Sequence, residues 1–206
     1  MTTKSLDPNL LREQFGDCIL TYSYPEPFPK NPIGTRAILL GCDPSNKRCL
    51  QFSHVFAIGS DDPDFQRFVI GWEKRLNAIG LEWQTIYAQN LCRNYFIQET
   101  SENKIWEYVA KKWIPLLKEE LDQFDKKIPV LLTSEFLYHV LLNEKLELSR
   151  ANDFYCNPPI ASIPILPEAN ELGRPLIPFY RHFRYDICKD KNEPYRNSIR
   201  KIIGTI

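Results

Sequence analysis

The stretch TRAILLG at residues 35–41 begins the part of the sequence that decides the fold. Its nearly continuous apolar run is typical of a strand buried on both faces of a parallel sheet. The segment GCDP at residues 41–44 follows at once, so a carboxylate stands where the strand ends. Because ligands of open α/β sheets bind beyond the carboxyl ends of the strands, this junction is the first candidate for a functional site.

Strands and helices alternate along the chain after this first strand. A helix is predicted over 62–79, because Asp62 is a good cap, Pro63 suits the first position, and apolar residues recur at helical spacing. Further strands are predicted at 85–91, 128–133, 160–166 and 176–180. Further helices are predicted at 102–124, interrupted or bent at Pro115, then after Ser134, and over 192–203. This alternation predicts a three-layer α/β/α fold with a central, mainly parallel sheet.

The segment before the core is predicted to carry little regular structure. Asp7 and Pro8 favour a short N-terminal helix, and the prolines over 24–32 favour an extended loop. With 206 residues the chain fits a single domain, in which 1–34 is a helix and Pro-rich lead-in and 35–206 is the α/β core.

Composition excludes several classes of protein. The 26 basic and 26 acidic residues balance, so a globally basic nucleic-acid binder is excluded, and 43% apolar residues exclude a disordered chain. No apolar run approaches the ~18–20 residues of a membrane span, and the first residues lack a secretory signal, so we expect a cytoplasmic protein. The six cysteines form no CxxC pair or zinc spacing, so we expect reduced thiols and no metal.

Charge is nevertheless uneven along the chain. Residues 174–201 contain eight basic residues against three acidic ones, a net charge of +5, and His182 lies among them. Such a run can be a phosphate-contacting face, but a solvated surface is the ordinary alternative.

Three strand ends carry chemically distinctive side chains. Asp43 is held on a tight turn by Pro44, although an Asp-Pro pair also serves as a plain turn or helix cap. The amide of Asn90 can donate and accept at once, which suits the edge of a pyrimidine, although Asn also ends strands as a turn residue. His182 could act as an acid, a base or a neutral electrophile, although a lone His is often structural. Their occurrence at three strand ends of one sheet favours a shared site.

The pattern of GCDP at 41–44, Phe56, Asn90 and His182 resembles the uracil-DNA glycosylase superfamily. Members of that superfamily have a Gly-x-Asp-Pro motif after the first core strand, then a stacking Phe, an Asn at the end of a later strand, and a His motif after the last. The resemblance extends over residues 35–203. The family's Tyr after Asp-Pro is replaced by Ser45, and its His-Pro-Ser by His-Phe-Arg at 182–184. Iron–sulfur members carry a Cys pair near the N-terminus, whereas Cys18 stands alone there, so the resemblance implies no cluster.

The resemblance implies an enzyme that hydrolyses the N-glycosidic bond of uracil or a related damaged base in DNA. Asp43 would orient water and stabilise the cationic sugar, and a neutral His182 would donate to the leaving base. The implied base-binding residues are Gly41, Cys42, Pro44, Phe56 and Asn90. The implied DNA-binding residues are Arg181, Phe183, Arg184, Tyr185 and Lys189. The arginines and the lysine would contact phosphate, and Phe183 or Tyr185 would fill the gap left by a flipped base, unless they pack in the core. We expect no cofactor, and a monomer acting on single- or double-stranded DNA.

Other functions stay open at this point. The altered His motif favours, as the first alternative, a nucleic-acid-binding member of the same fold that has lost catalysis or changed specificity. An unrelated α/β hydrolase or redox enzyme is disfavoured, because the sequence lacks Gly-x-Ser-x-Gly, Gly-x-Gly-x-x-Gly and CxxC motifs. A pure interaction domain would leave the three polar strand ends without a shared pocket.

Overall fold

The apolar stretch at 35–41 forms an inner strand of a four-stranded, all-parallel sheet. The computed structural model of the protein describes residues 6–29, 34–143, 149–156 and 159–205. The strands are β1 (Ile19–Leu20), β2 (Ala37–Gly41), β3 (Ile86–Asn90), β4 (Tyr95–Phe96), β5 (Val130–Leu132) and β6 (Leu176–Pro178). The large sheet has the order β3-β2-β5-β6, and β1 pairs with β4 in a separate antiparallel ribbon.

The register of the parallel sheet brings the strand ends together. Gly41 pairs with Asn90, and Leu132 pairs with Pro178, so β2, β3, β5 and β6 all finish at one edge. Every residue of these four strands is buried, which explains why the sequence shows continuous apolar runs rather than alternation.

The helices begin where the sequence provides caps. They are α1 (Pro8–Phe15), α2 (Pro63–Ala78), α3 (Trp106–Leu121), α4 (Glu135–Leu141), α5 (Ala151–Tyr155) and α6 (Glu193–Gly204). The carboxylates of Asp7 and Asp62 and the hydroxyl of Ser134 accept from the first-turn N–H groups of α1, α2 and α4. The predicted starts of these three helices are therefore confirmed.

The helices make two pairs of contacts, α2 with α6 and α3 with α4. Arg200 of α6 donates from Nε to the carbonyl of Ala78 at the end of α2, at 2.8 Å. The Trp106 ring of α3 meets the Phe136 ring of α4, with centroids 6.1 Å apart. In the sheet, β3 lies on one side of β2 and β5 on the other, so the crossover from β2 to β3 runs in the opposite direction to the crossover from β3 to β5. Because such crossovers are right-handed, their helices α2 and α3 lie on opposite faces of the sheet. The architecture is mixed α/β and compatible with three layers.

Several details differ from the sequence prediction. Residues 160–166 form no strand: Ile165 makes an isolated bridge to Leu176, and Pro164 lacks the N–H that a ladder needs. Helix α3 starts later than predicted and continues through Pro115, which lies on the exposed side of the helix. The short β1–β4 ribbon was not predicted. The Pro-rich lead-in is described as far as Pro29, and its remainder at 30–33 lies outside the described residues.

One residue of the basic segment is structural. Arg174 is completely buried, and its guanidinium donates to the carbonyls of Asp125 and Phe124 at 2.6 and 2.7 Å, beyond the end of α3. A cation there complements the negative end of the helix dipole. Arg174 is therefore unavailable to a ligand, and the surface charge of the segment is smaller than the sequence suggests.

No helix in the described part of the chain has the length and apolar character needed to cross a membrane. The six cysteines are present as thiols.

Candidate active site at the carboxyl edge of the sheet

A cleft of about 400 Å³ opens at the edge where the parallel strands end. Its lining residues come from β2 and the loop after it, from α2, and from the ends of β3, β5 and β6. The lining residues predicted from the sequence are Gly41, Cys42, Asp43, Pro44, Phe56, Asn90 and Arg181. The cleft therefore brings together the carboxylates of Asp43 and Asp64, one buried amide, one guanidinium and a wall of aromatic rings.

The carboxylate of Asp43 is held by two donors. Its Oδ1 accepts from the backbone N–H of Ser45 at 2.9 Å, and its Oδ2 accepts from the hydroxyl of Thr100 at 2.5 Å. The first bond is the turn that the Asp-Pro pair predicted. Burial raises the pKa of Asp43, and the hydrogen bonds from Ser45 and Thr100 oppose that rise. The indole N–H of Trp106 also opposes the rise in the pKa of Asp43, although it completes no hydrogen bond among the described residues.

The thiol beside this carboxylate is not a nucleophile. Burial, and after it the negative charge of Asp43, raise the pKa of Cys42 to about 12. A thiol with such a pKa stays protonated at neutral pH. Cys42 therefore contributes shape and a weak donor to the cleft, and the buried Pro44 fixes the turn that follows.

The amide of Asn90 lies across the backbone of Gly41. A Cβ at Gly41 would stand 2.2 Å from Asn90 Oδ1 and 3.1 Å from the Phe56 ring, so no larger residue fits there. Asn90 is 3% exposed, and its Nδ2 has no hydrogen-bond partner among the described residues. A buried donor without a partner costs about 1–3 kcal/mol, and a ligand in the cleft would remove that cost.

A buried polar network holds Asn90 from behind. Because β3 is an edge strand, the backbone N–H of Asn90 points out of the sheet, and it donates to the side chain of Gln89 at 2.9 Å. Gln89 in turn donates to Glu120 at 3.0 Å, which also accepts from Tyr87 at 2.6 Å and pairs with Arg93. This network was not predicted, because nothing local in the sequence joins Gln89 to a helix thirty residues later.

Phe56 has an unusual backbone for an aromatic residue. Its φ and ψ are 57° and 19°, in the left-handed region, and Ala57 shares that conformation. Its ring meets the rings of Trp72 and Trp83 at centroid distances of 5.7 and 6.3 Å. Left-handed backbone costs about 1–2 kcal/mol for such a residue, and cost of this kind is concentrated at functional sites. The strain positions the ring on the cleft wall.

Much of the cleft lining is aromatic. Phe65, Phe68 and Trp72 belong to the apolar face that the helical spacing over 62–79 predicted, and together with Phe52 they line the cleft. Phe52 and Phe65 meet edge to face, with centroids 4.7 Å apart. Sequence periodicity identified a buried helix face but could not show that part of it faces a cleft rather than the core.

The predicted residues after β6 divide into two groups. Arg181 lines the cleft, with its guanidinium 4.4 Å from the centroid of the Phe68 ring. His182 is exposed, is not among the described residues that line the cleft, and uses Nδ1 to accept from the N–H of Arg184 at 3.3 Å. The histidine thus caps the short turn at 183–185, which is the structural alternative considered from the sequence.

The other predicted DNA-binding residues lie outside the cleft, on the surface beside it. Phe183 is 68% exposed, and Arg184 and Lys189 are exposed as well. Lys189 donates from Nζ to the carbonyl of Phe183 at 2.7 Å, which ties the turn down. The ring of Tyr185 packs 5.0 Å from that of Tyr155, so this aromatic has the packing role and Phe183 is the exposed ring.

In the described ranges, no three His, Cys, Asp or Glu side chains are grouped in a way that could hold a metal ion. A comparison with models of protein families and with curated protein sequences found no match to this chain.

Proposed function

We propose that this protein is a DNA glycosylase that hydrolyses the N-glycosidic bond of uracil or a related damaged base, with a fold of the uracil-DNA glycosylase type. The observation that carries the proposal is the buried amide of Asn90. It lines a cleft beside a strained aromatic ring and a half-buried carboxylate, and its Nδ2 has no partner among the described residues. A base with an adjacent N–H and carbonyl would satisfy both ends of that amide.

The size of the cleft supports a single flipped base. About 400 Å³ lies at the lower end of the range for small-molecule sites, which is about 300–1,000 Å³. A target base cannot be reached inside a duplex, so it must rotate out of the stack at a cost of a few kcal/mol. Stacking on Phe56 would offset part of that cost, since a base on an aromatic ring gains about 1–3 kcal/mol.

The proposed chemistry needs few groups. As the bond between the sugar and the base breaks, its electron pair goes to the base and positive charge develops on the sugar. Asp43 stabilises this cation when ionised, and it orients the water that adds to the sugar carbon. The bonds from Ser45 and Thr100 fix its direction before the substrate arrives. Water supplies hydroxide to the sugar and, in the end, a proton to the base.

DNA is the proposed partner, and the proposed acting form is a monomer. The exposed Phe183, Arg184 and Lys189 lie on the chain segment that leaves the cleft, where they would contact the strand around a flipped nucleotide. Phosphate contacts there would position the DNA without reading its sequence.

Base release from oligonucleotides tests the proposal. Substrates carrying uracil, hypoxanthine or oxidised pyrimidines are compared as single and double strands, with wild type, Asp43→Asn and the exposed control Asp61→Asn. We expect wild type and Asp61→Asn to release base, and Asp43→Asn to be slower by ~10²–10³. Equal rates in Asp43→Asn and wild type would show that another residue carries the charge.

One observation favours a second candidate, a nucleic-acid-binding protein without catalysis. His182, the electrophile expected from the family resemblance, is not among the described residues that line the cleft. Wild type that binds these oligonucleotides but releases no base from any of them would establish this alternative and contradict the glycosylase proposal.

A further inference from the structure

The alternation of side chains beyond β6 decides which residue faces the cleft. The N–H of Phe179 donates to a β5 carbonyl at 2.7 Å and that of Arg181 to the carbonyl of Thr133 at 3.4 Å, so the chain stays extended after the strand. Phe179 packs on Trp72 of α2, with ring centroids 6.0 Å apart. Because residues two apart share a side in extended chain, Arg181 also points towards α2, where it covers Phe68.

Tyr180 and His182 belong to the opposite side of this extended chain. Tyr180 stacks on Tyr155 of α5, with centroids 6.0 Å apart and an interplanar angle of 27°. His182 follows this alternation, and its ring lies 4.5 Å from that of Phe183 while Nδ1 caps the turn. Bringing the imidazole into the cleft would require the turn at 183–185 to lose its cap.

Arg181 provides a permanent positive charge in the lining of the cleft. The residue as a whole is exposed, but one face of its guanidinium is covered by Phe68. This burial lowers the pKa of Arg181, and the charge of Arg75 lowers it further. An arginine nevertheless stays protonated in proteins, so its N–H donors are available at every working pH. Asp43 lines the same cleft, which therefore holds an anion for the sugar and a cation for the base.

We infer that Arg181, rather than His182, stabilises the negative charge on the departing base, an inference that rests on the proposed glycosylase function. When the glycosidic bond breaks, the electron pair passes to the base, and a base oxygen accepts hydrogen bonds from the guanidinium. No proton is transferred in this step, and solvent protonates the base after release. His182 acts at a distance by ordering the turn that follows Arg181.

The dependence on the leaving group distinguishes this role from a phosphate contact. Single-turnover rates at saturating enzyme are measured on uracil and on 5-fluorouracil, whose anion is more stable and needs less help to depart. The variant Arg181→Met keeps an apolar stem over Phe68 but removes every donor. We expect it to lose ~10²–10³ in rate on uracil and clearly less on 5-fluorouracil. Arg181→Lys keeps the charge without the planar fork, so its loss on uracil should be smaller than that of Arg181→Met.

Two matched variants provide the controls. Arg12→Met removes an exposed arginine of α1 outside the cleft lining, and it should keep both single-turnover rates. His182→Asn removes the imidazole but keeps an acceptor that can cap the turn, and it should also keep both rates. Thermal melts of all variants check that each is folded at the assay temperature.

Three outcomes would overturn the inference. If Arg181→Met lost equal rate on the two bases, or reached the wild-type rate at saturating enzyme, Arg181 would be a DNA-positioning residue. A selective loss on uracil in His182→Asn would return the role to the histidine. Wild type that releases neither base would refute the proposed function itself, a result distinct from the first two because these require an active wild type.

Discussion

The hydroxyl of Thr100 donates to Oδ2 of Asp43 at 2.5 Å, joining two residues 57 positions apart. Thr100 lies in a single helical turn before α3, and Asp43 follows β2, so the bond ties the candidate carboxylate to the segment that leads into α3. A hydrogen bond to the ionised form favours ionisation, whereas burial opposes it. The balance between the two sets the pH at which Asp43 is charged.

Removing this hydroxyl should move the acid limb of the pH profile. Thr100→Val deletes a donor to the carboxylate, so the already raised pKa of Asp43 should rise further. If base release needs ionised Asp43, the rate of this variant should begin to fall at a higher pH than that of wild type, with little change on the alkaline side. Rates from pH 5 to 9 on a uracil oligonucleotide measure the shift.

Thr100→Ser is the matched control, because it keeps the hydroxyl and should keep the wild-type profile. The nearby thiols do not confuse the result, since burial raises the pKa of both Cys42 and Cys92 and keeps them protonated across this range. Identical acid limbs in Thr100→Val and wild type would mean that the limb reports another group.

The half-buried charge of Asp43 should also cost stability. Its pKa in the folded state is raised above the ordinary 3.8, so folded protein holds the proton more tightly than unfolded protein. The contribution of Asp43 to the free energy of unfolding is complete below pH 3.8, and it is lost as the pH rises through the raised pKa. Asp43→Asn should therefore be more stable than wild type at pH 8, by ~0.5–2 kcal/mol, and the gain should shrink towards pH 4.5.

Urea unfolding at the two pH values measures this difference. The exposed Asp61→Asn should show no such gain. A variant that is less stable than wild type at pH 8 would indicate that the bonds from Ser45 and Thr100 outweigh the cost of burial.

Gly41 should tolerate no side chain while the site functions. A Cβ there would stand 2.2 Å from Asn90 Oδ1, so Gly41→Ala must displace the amide. We expect base release to fall by at least ~10², because a displaced donor cannot meet the base. Gly204→Ala, where nothing lies within 4 Å of the new Cβ, should keep full activity. An active Gly41→Ala would show that the position of Asn90 is not critical.

Asn90→Ala separates recognition from chemistry. It removes the polar edge but leaves the carboxylate, so discrimination between uracil and cytosine should relax. Release of both bases is measured with wild type, Asn90→Ala and the exposed helix residue Asn77→Ala as control. An unchanged preference for uracil in Asn90→Ala would remove this residue from base recognition.

The sequence was sufficient for the strand ends but not for the side chains that complete the site. Asp43 and Asn90 could be placed because apolar runs mark the strands, and parallel strands end at one edge. Thr100 could not be placed, since its contact depends on how the loop before α3 packs against β2. Periodicity also could not show that Ile160–Leu166 lacks a strand partner beyond the single bridge at Ile165.

The choice between Arg181 and His182 depends on register. A signal for it existed in the sequence, because Phe179 is apolar and Arg181 lies two residues later, on the same side of an extended chain. The resemblance to the glycosylase motif directed attention to the histidine instead. Nor did charge counting show that Arg174 is buried, since burial depends on the carbonyls that α3 and the loop after it present.

Salt dependence should identify the phosphate contacts. Arg184 is exposed and outside the cleft lining, so Arg184→Met should reduce the slope of log K against log salt by ~0.7–0.9. Affinity for a uracil oligonucleotide is measured with Asp43→Asn as background, so that substrate is not consumed. Arg12→Met, on α1 and paired with Asp17, should leave the slope unchanged. An unaltered slope in Arg184→Met would make this segment a solvated surface.

The exposed ring of Phe183 should matter for duplex substrates. It is 68% exposed, and the ring of His182 and the ammonium of Lys189 lie 4.5 and 5.6 Å from its centroid, which holds it in place at low cost. A rigid apolar ring can fill the gap that a flipped base leaves, and a single strand has no such gap. Phe183→Ala should therefore slow release from double strands while sparing single strands. Ile160→Ala, which removes another exposed apolar side chain, should change neither rate. Equal slowing of Phe183→Ala on both substrates would show that the ring shapes the site instead of supporting base flipping.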